Sequence, residues 1–300
     1  MSIRALGTAE ALPAAGEPAA LPSMRRRAWR RLRTHPSAIA GAAVLGFYVL
    51  AAIVAPVVLP FDPLRDHLVD AHLPPSSIHL LGTDQLGRDE LARLAYGARY
   101  TLTIGFLAVA IGVGVGVPFG AISGYFGGWI DLFTQRVTDV LLAFPNILLA
   151  LALVATLGPG LRNVIIAVGV SSVPAFVRLV RASTLSLREQ PFVEAARALG
   201  TSDAVILSRH IVPNALTPVI VQATLQLGFS ILVAAGLGFL GLGVQPPTPE
   251  WGTMLGEGHN DIFSDPNLAT FPGLAIFGAV LGFNLIGDGL RDALDPRLAD

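Results

Sequence analysis

The sequence contains no cysteine and no lysine, and only 14% of its 300 residues are charged. Without cysteine there are no disulfides, thiolate nucleophiles or thiolate metal ligands. Soluble domains carry roughly 25% charged residues. The shortage of charge here, beside 53% hydrophobic residues, excludes an ordinary soluble domain and points to an integral membrane protein. All 20 basic residues are arginine, which we read as genome composition. Catalytic patterns are missing as well. There is no Gly-x-x-x-x-Gly-Lys-Ser/Thr loop, so the chain does not hydrolyse ATP itself, and no His-Glu-x-x-His. Ser171, Ser172 and the lone His210 lack the Gly-x-Ser-x-Gly context of a nucleophile elbow. No catalytic residue, no metal site and no cofactor bound by this chain is expected.

What is present is a series of long apolar runs. Residues 1–23 are rich in Ala, Pro, Gly and Glu and are expected to be disordered. Met24 to Arg33 then packs six arginines directly before the first run. We read 1–37 as a cytoplasmic leader, laid out as a signal anchor and not as a cleaved signal peptide. Six stretches, near 38–60, 101–124, 132–157, 161–180, 216–243 and 271–288, are long enough to cross the hydrocarbon core. Residues 38–300 are thus expected to form an all-α, polytopic domain of six transmembrane helices. With the N-terminus inside, fifteen arginines fall on inner segments and five on outer ones. The positive-inside rule then puts both termini and the loop 191–213 in the cytoplasm.

That loop, PFVEAARALGTSDAVILSRHIVP, is a polar island between two apolar spans. It reads as helix, glycine break, helix. Pro191 suits a first turn, and Phe192, Val193, Ala196 and Leu199 form one apolar stripe beside Glu194 and Arg197. Ala195, Ala196 and Ala198 make part of it thin. Gly200 stands where a left-handed cap is expected. Thr201 or Ser202 then caps the second helix, Asp203 favours its macrodipole, and Pro213 ends it. A first helix this short needs something to dock against.

Elsewhere, HLLGTDQLGRD at 79–89 reads as an outer turn in which Asp84 caps its own backbone and Arg88 pairs a carboxylate, ahead of an interfacial helix. Arg136 and Asp139, three apart, are expected to pair. Asn146 follows Pro145, where a kink frees backbone groups. Gln222, Gln226 and Ser230 recur every four residues, and polar stripes of this kind face a bundle interior or a water-filled path. Asn284 and Asp288 lie toward the inner end of the sixth span. Gly236, Gly238, Gly241 and Gly243 are expected to let helices pack closely.

Glu194-Ala195-Ala196, three residues, then Gly200 resembles the EAA loop of ABC importer permeases. The proline at 213 fits that pattern, whereas His210 fills a slot that the family gives to isoleucine. LGTDQLGRD, with Gly82, Thr83, Asp84, Gly87, Arg88 and Asp89, followed by Gly97-Ala98-Arg99-Tyr100, resembles the second permease of peptide and nickel importers. So do GGWIDLFTQRVTDVLLAFP at 127–145, VQPPTPEWGTML at 244–255 and GDGLRDALDPR at 287–297. The resemblance implies a multi-pass subunit of the bacterial inner membrane, paired with a second permease, two ATPase subunits that hold ATP and magnesium, and an extracytoplasmic binding protein. Lipid surrounds it and no nucleic acid is involved. It further implies that Glu194, Ala195, Ala196, Arg197, Gly200, Asp203 and Pro213 couple to the ATPase; the polar residues Gln222, Gln226, Ser230 and Asn284 are expected, on their placement alone, to face the path. The competing class is a secondary transporter or channel working without an ATPase, which discontinuous helices and buried midplane charges would favour.

Overall fold

The computed structural model of the chain describes residues 30–294. The stretch expected to be disordered, the first part of the arginine-rich run and the end of the motif at 287–297 lie outside the described residues. Among these the structure is helical, without a strand: α1 (Pro36–Val58), α2 (Glu90–Phe126), α3 (Gly128–Leu142), α4 (Asn146–Leu157), α5 (Leu161–Arg188), α6 (Pro191–Ala198), α7 (Val212–Phe239), α8 (Trp251–His259) and α9 (Asn267–Leu294). Five helices are long and apolar enough to cross a membrane, and α3 with α4 supply a sixth candidate.

Three differences from the sequence-based expectation have local causes. The interfacial helix anticipated after Asp89 is the start of α2, which runs unbroken for 37 residues. The third span is not one helix, since α3 and α4 meet at 89°. Pro145 has no N–H and drives Phe144 out of helical geometry, so a break is the outcome there. Pro213 does not end a helix. The chain passes from Asp203–Val205 through a π-helical stretch, Ile206–Ile211, straight into α7 with the proline in its first turn. The wider π turn accommodates the missing donor and the ring.

The bundle is centred on α5, of whose apolar window 56% is buried, against 17% for α1. Gly112, Gly116, Gly120 and Gly124 of α2, one turn apart, face α5. A Cβ on Gly116 would lie 2.5 Å from Phe176 Cβ, and one on Gly120 would lie 2.6 Å from the Val177 carbonyl. This small-xxx-small stripe is what brings the two backbones together. In the glycine set anticipated at 236–243, Gly238 does pack closely, 2.7 Å from Glu250 Oε2 on the same measure. Gly241 and Gly243 lie beyond the end of α7. On the other side of the bundle α9 backs α1, and a Cβ on Gly41 would lie 2.5 Å from the Gly282 carbonyl.

Ion pairs lock α3 to α5. Arg181 donates to both Asp131 oxygens at 2.6 Å, and Arg178 donates to Asp139 at 2.7 Å. Asp139 therefore pairs across helices and not with Arg136, because the α5 guanidinium reaches it directly. The glycine stripe gives a matched test. Gly120→Val should destabilise the detergent-solubilised protein by about 1–3 kcal/mol through overpacking. Gly114→Val, on the same helix with nothing within 4 Å of its Cβ, should change the melting temperature far less. Equal melting shifts would mean that the stripe does not set the packing.

Candidate functional site

The C-terminal end of α2 meets the 191–213 segment. In α6, Pro191 occupies the first turn, Glu194 follows it and Arg197 stands in the last. Gly200 has φ +77°, its N–H donates to the Arg197 carbonyl (2.9 Å), and that of Thr201 donates to the Ala196 carbonyl (3.1 Å). This is a Schellman cap, the turn that a left-handed residue makes possible. Ser202 holds the N-cap position of the next turn without a side-chain bond. Asp203 is engaged instead, accepting from Tyr125 Oη at 2.5 Å.

Tyr125, from the last turn of α2, organises the docking of this segment. Val193, Ala196, Ile206 and Ile211 are buried around it. The Arg197 guanidinium lies 5.6 Å from its ring centroid, within cation–π range. Arg188 donates to the Gly124 and Tyr125 carbonyls at 3.3 Å, satisfying acceptors at the end of α2. The opposite face of α6 is bare. Phe192 is 41% and Leu199 85% exposed, and Glu194, Ala195 and Ala198 are exposed beside them. Glu194 makes no side-chain bond with a described residue. Of the three thin alanines, Ala196 faces its own bundle.

The other end of α2 holds the 79–89 motif. Asp84 accepts from the Leu86 and Arg88 N–H groups at 2.9 Å and from Arg88 Nε at 2.7 Å, the turn and pairing that its spacing suggests. Gly82 and Gly87 have φ +86° and +76°. Asp89 caps α2 by accepting from Ala92 N (2.8 Å) and lies 3.0 Å from His79 Nδ1. Thr83 donates to the Asp70 carbonyl. The motif is completed by residues that the sequence reading did not assign. Arg93 reaches Asp84 (3.3 Å) and Glu257 of α8 (2.9 Å). Glu250 caps α8, accepting from Gly252 N, Thr253 N and Thr101 Oγ1 within 3.1 Å. Burial pushes its carboxyl above the ordinary range, against these donors. Trp251, fully buried, donates to the Leu94 carbonyl at 2.8 Å. Only the quoted similarity of 244–255 signalled that this loop mattered; nothing in its spacing reveals partners 150 residues away.

Of the α7 stripe, Gln226 and Ser230 are buried and Gln222 half-buried. Among the described residues Ser230 Oγ has no hydrogen-bond partner. Asn284 is exposed on α9, its Oδ1 3.6 Å from the position of a Cβ on Gly228; at about 100° per residue Gln222, Gln226 and Ser230 fall more than 100° round α7 from Gly228, so the structure does not bring the stripe and Asn284 together. Among the described residues no group of three or more His, Cys, Asp or Glu is placed to hold a metal.

Residues 116–300 match the family described as the binding-protein-dependent transport system inner membrane component, and residues 23–75 match the N-terminal transmembrane domain of oligopeptide transport permease C. The dipeptide transport system permease protein DppC of Alkalihalophilus pseudofirmus is 48% identical over 273 residues, 91% of this chain and 90% of the relative. The glutathione transport system permease protein GsiD of Pectobacterium atrosepticum is 47% identical over 278 residues, 91% of each. In fold, the chain is similar to a solved inward-facing conformation of the MetNI methionine ABC transporter. The TM-score is 0.56 at 21% identity, over 68% of this chain and 96% of that one. With up to six candidate spans among the described residues and a motif at each end of α2, the chain belongs to the binding-protein-dependent transport system inner membrane component family and is the transmembrane permease subunit of an ATP-driven ABC importer.

Proposed function

We propose that the chain pairs with a second, non-identical permease to form the translocation path, and that 191–213 is the handle through which two cytoplasmic ATPase subunits act on it. The observation that carries this reading is the two-faced packing of α6. Val193 and Ala196 are sunk into the chain's own bundle, while Phe192, Glu194, Ala195 and Leu199 stand bare for a partner. Glu194 orients the docking, Ala195 allows close approach, and Gly200 with Pro213 sets the turn and the entry into α7. Arg197 and Asp203 act from the inner side, tying the handle to Tyr125. The arginine distribution supports a cytoplasmic position for this segment and for both termini in a bacterial inner membrane.

ATP and magnesium belong to the ATPase subunits in this reading, and this chain performs no catalysis and binds no cofactor. The solute is a short peptide or a related small molecule handed over by an extracytoplasmic binding protein. The relatives named for dipeptide and glutathione transport support that class. In this reading Gln222, Gln226 and Ser230 of α7 and Asn284 of α9 meet the path, and the Ser230 Oγ, without a hydrogen-bond partner among the described residues, would be satisfied there by water or solute. Such reorientation is biased only by the differential affinity of ATP and solute for the two states.

The test is ATP-dependent uptake of a dipeptide or glutathione by vesicles carrying the purified complex with its binding protein. Uptake that persists without the ATPase subunits would overturn the reading. Gly200→Val should lower uptake about tenfold or more while the chain still inserts and assembles, because a β-branched residue is strained at positive φ. Glu194→Lys should weaken co-purification of the ATPase. An unchanged complex would place docking on Phe192 and Leu199 instead.

A further inference from the structure

The start of α2 keeps two buried polar atoms of opposite character without a partner among the described residues, Glu90 Oε1 and Arg93 Nη1. Both residues are only 2% exposed. They stand three apart and so share one face of the helix, yet they form no ion pair with each other. The rest of the Arg93 fork explains why. Its Nε lies 3.3 Å from Asp84 Oδ2 and its Nη2 lies 2.9 Å from Glu257 Oε2, which leaves Nη1 as the nitrogen with no acceptor. Glu90 and Arg93 line a common cavity with Asp84, Gln85 and Glu257, at the meeting of α2, the 79–89 turn and α8. Its volume is about 10 Å³, close to what one water molecule needs.

We infer that this cavity binds a single water molecule, which accepts from Arg93 Nη1 and donates to Glu90 Oε1, and that Glu90 through this bridge positions Arg93 between Asp84 and Glu257. A buried polar group without a partner is costly, and internal waters sit at such groups. A cation would suit Glu90 but stand against the Arg93 guanidinium, and among the described residues no group of three or more His, Cys, Asp or Glu is placed to hold a metal. An anion would suit Arg93 but meet the carboxylates of Asp84, Glu90 and Glu257, which line the same cavity. Water serves a donor and an acceptor at once. Gln85 offers the third bond that internal waters commonly make. With the bridge in place every nitrogen of the Arg93 fork is engaged, on Asp84 of the turn, on Glu257 of α8 and on the water. The turn, the start of α2 and α8 are thereby tied at one side chain and shift as a unit. Every group involved belongs to this chain, so the inference is independent of the partners proposed above.

The test is a cryo-EM map of the full-length chain, purified from its membrane with whatever accompanies it, at a resolution that shows ordered water. One peak should lie within hydrogen-bond distance of both Glu90 Oε1 and Arg93 Nη1. No peak there would overturn the inference. So would a peak held by three or more oxygens and remote from Arg93 Nη1, the signature of a cation. Hydrogen exchange of the α8 amides, read by mass spectrometry, reports the positioning. Glu90→Met, similar in length but without an oxygen, should lose the peak and speed exchange in 251–259 about tenfold. Glu90→Gln keeps Oε1 as an acceptor and should hold both the peak and the exchange near the wild type. Exchange unchanged in Glu90→Met, or raised equally in Glu90→Gln, would overturn the positioning role. If Glu90→Met does not fold, the wild-type map and the Glu90→Gln comparison still decide.

Discussion

Four glycines one turn apart let α2 lie against α5 more closely than any side chain would allow. In lipid, helices gain nothing by hiding apolar surface from one another, so close van der Waals contact has to hold them together. The rest of the structure hangs from that contact. It fixes α2 against the most enclosed helix, and α2 carries an organised polar site at each end. At one end, Arg93 and Glu257 hold the 79–89 motif. At the other, Tyr125 receives the handle. The pairs from Arg178 and Arg181 then set α3 relative to the same α5.

The length of α2 explains why it tolerates so much buried charge. Its 37 residues span about 55 Å at 1.5 Å per residue, well beyond a hydrocarbon core of about 30 Å. A helix of that length leaves turns outside the core, and the charges at its start, Arg93 with the preceding Arg88, are shielded by protein and paired with Glu257 and Asp84. Removing one member of such a network leaves a charge without compensation, which is far more damaging than the network is stabilising. The 79–89 motif thus forms a paired collar at the end of α2 opposite the 191–213 segment.

What was legible in the sequence was local. Pro191, Gly200 and the Asp84–Arg88 turn are each determined within a few residues, and the structure places each of them as their chemistry suggests. The apolar runs give the number of candidate spans but stop short of the helix ends, because polar turns such as Glu90–Tyr100 continue the helix. What spacing could not show was partnership across the fold. Asp139 stands three residues from Arg136 yet pairs with α5, and Glu250 meets Thr101 from the far side of the chain. The glycines at 112–124 passed unnoticed inside an apolar run, since their meaning depends on what faces them. The effect of a proline depends on the turn that precedes it. Pro145 breaks its span, whereas Pro213 sits in a continuous helical path because a π turn precedes it.

At Gly200 the constraint is one of handedness and not of size. Its φ is +77° while nothing lies within 4 Å of a Cβ built on it. Any small L-residue has room there and is disfavoured only by its own backbone. The mirror-image residue would lose that penalty, so a D-alanine introduced by chemical ligation fits the turn as glycine does. The turn at Gly200, as distinct from the packed inner face of the handle, is in this sense specified by stereochemistry and not by contact.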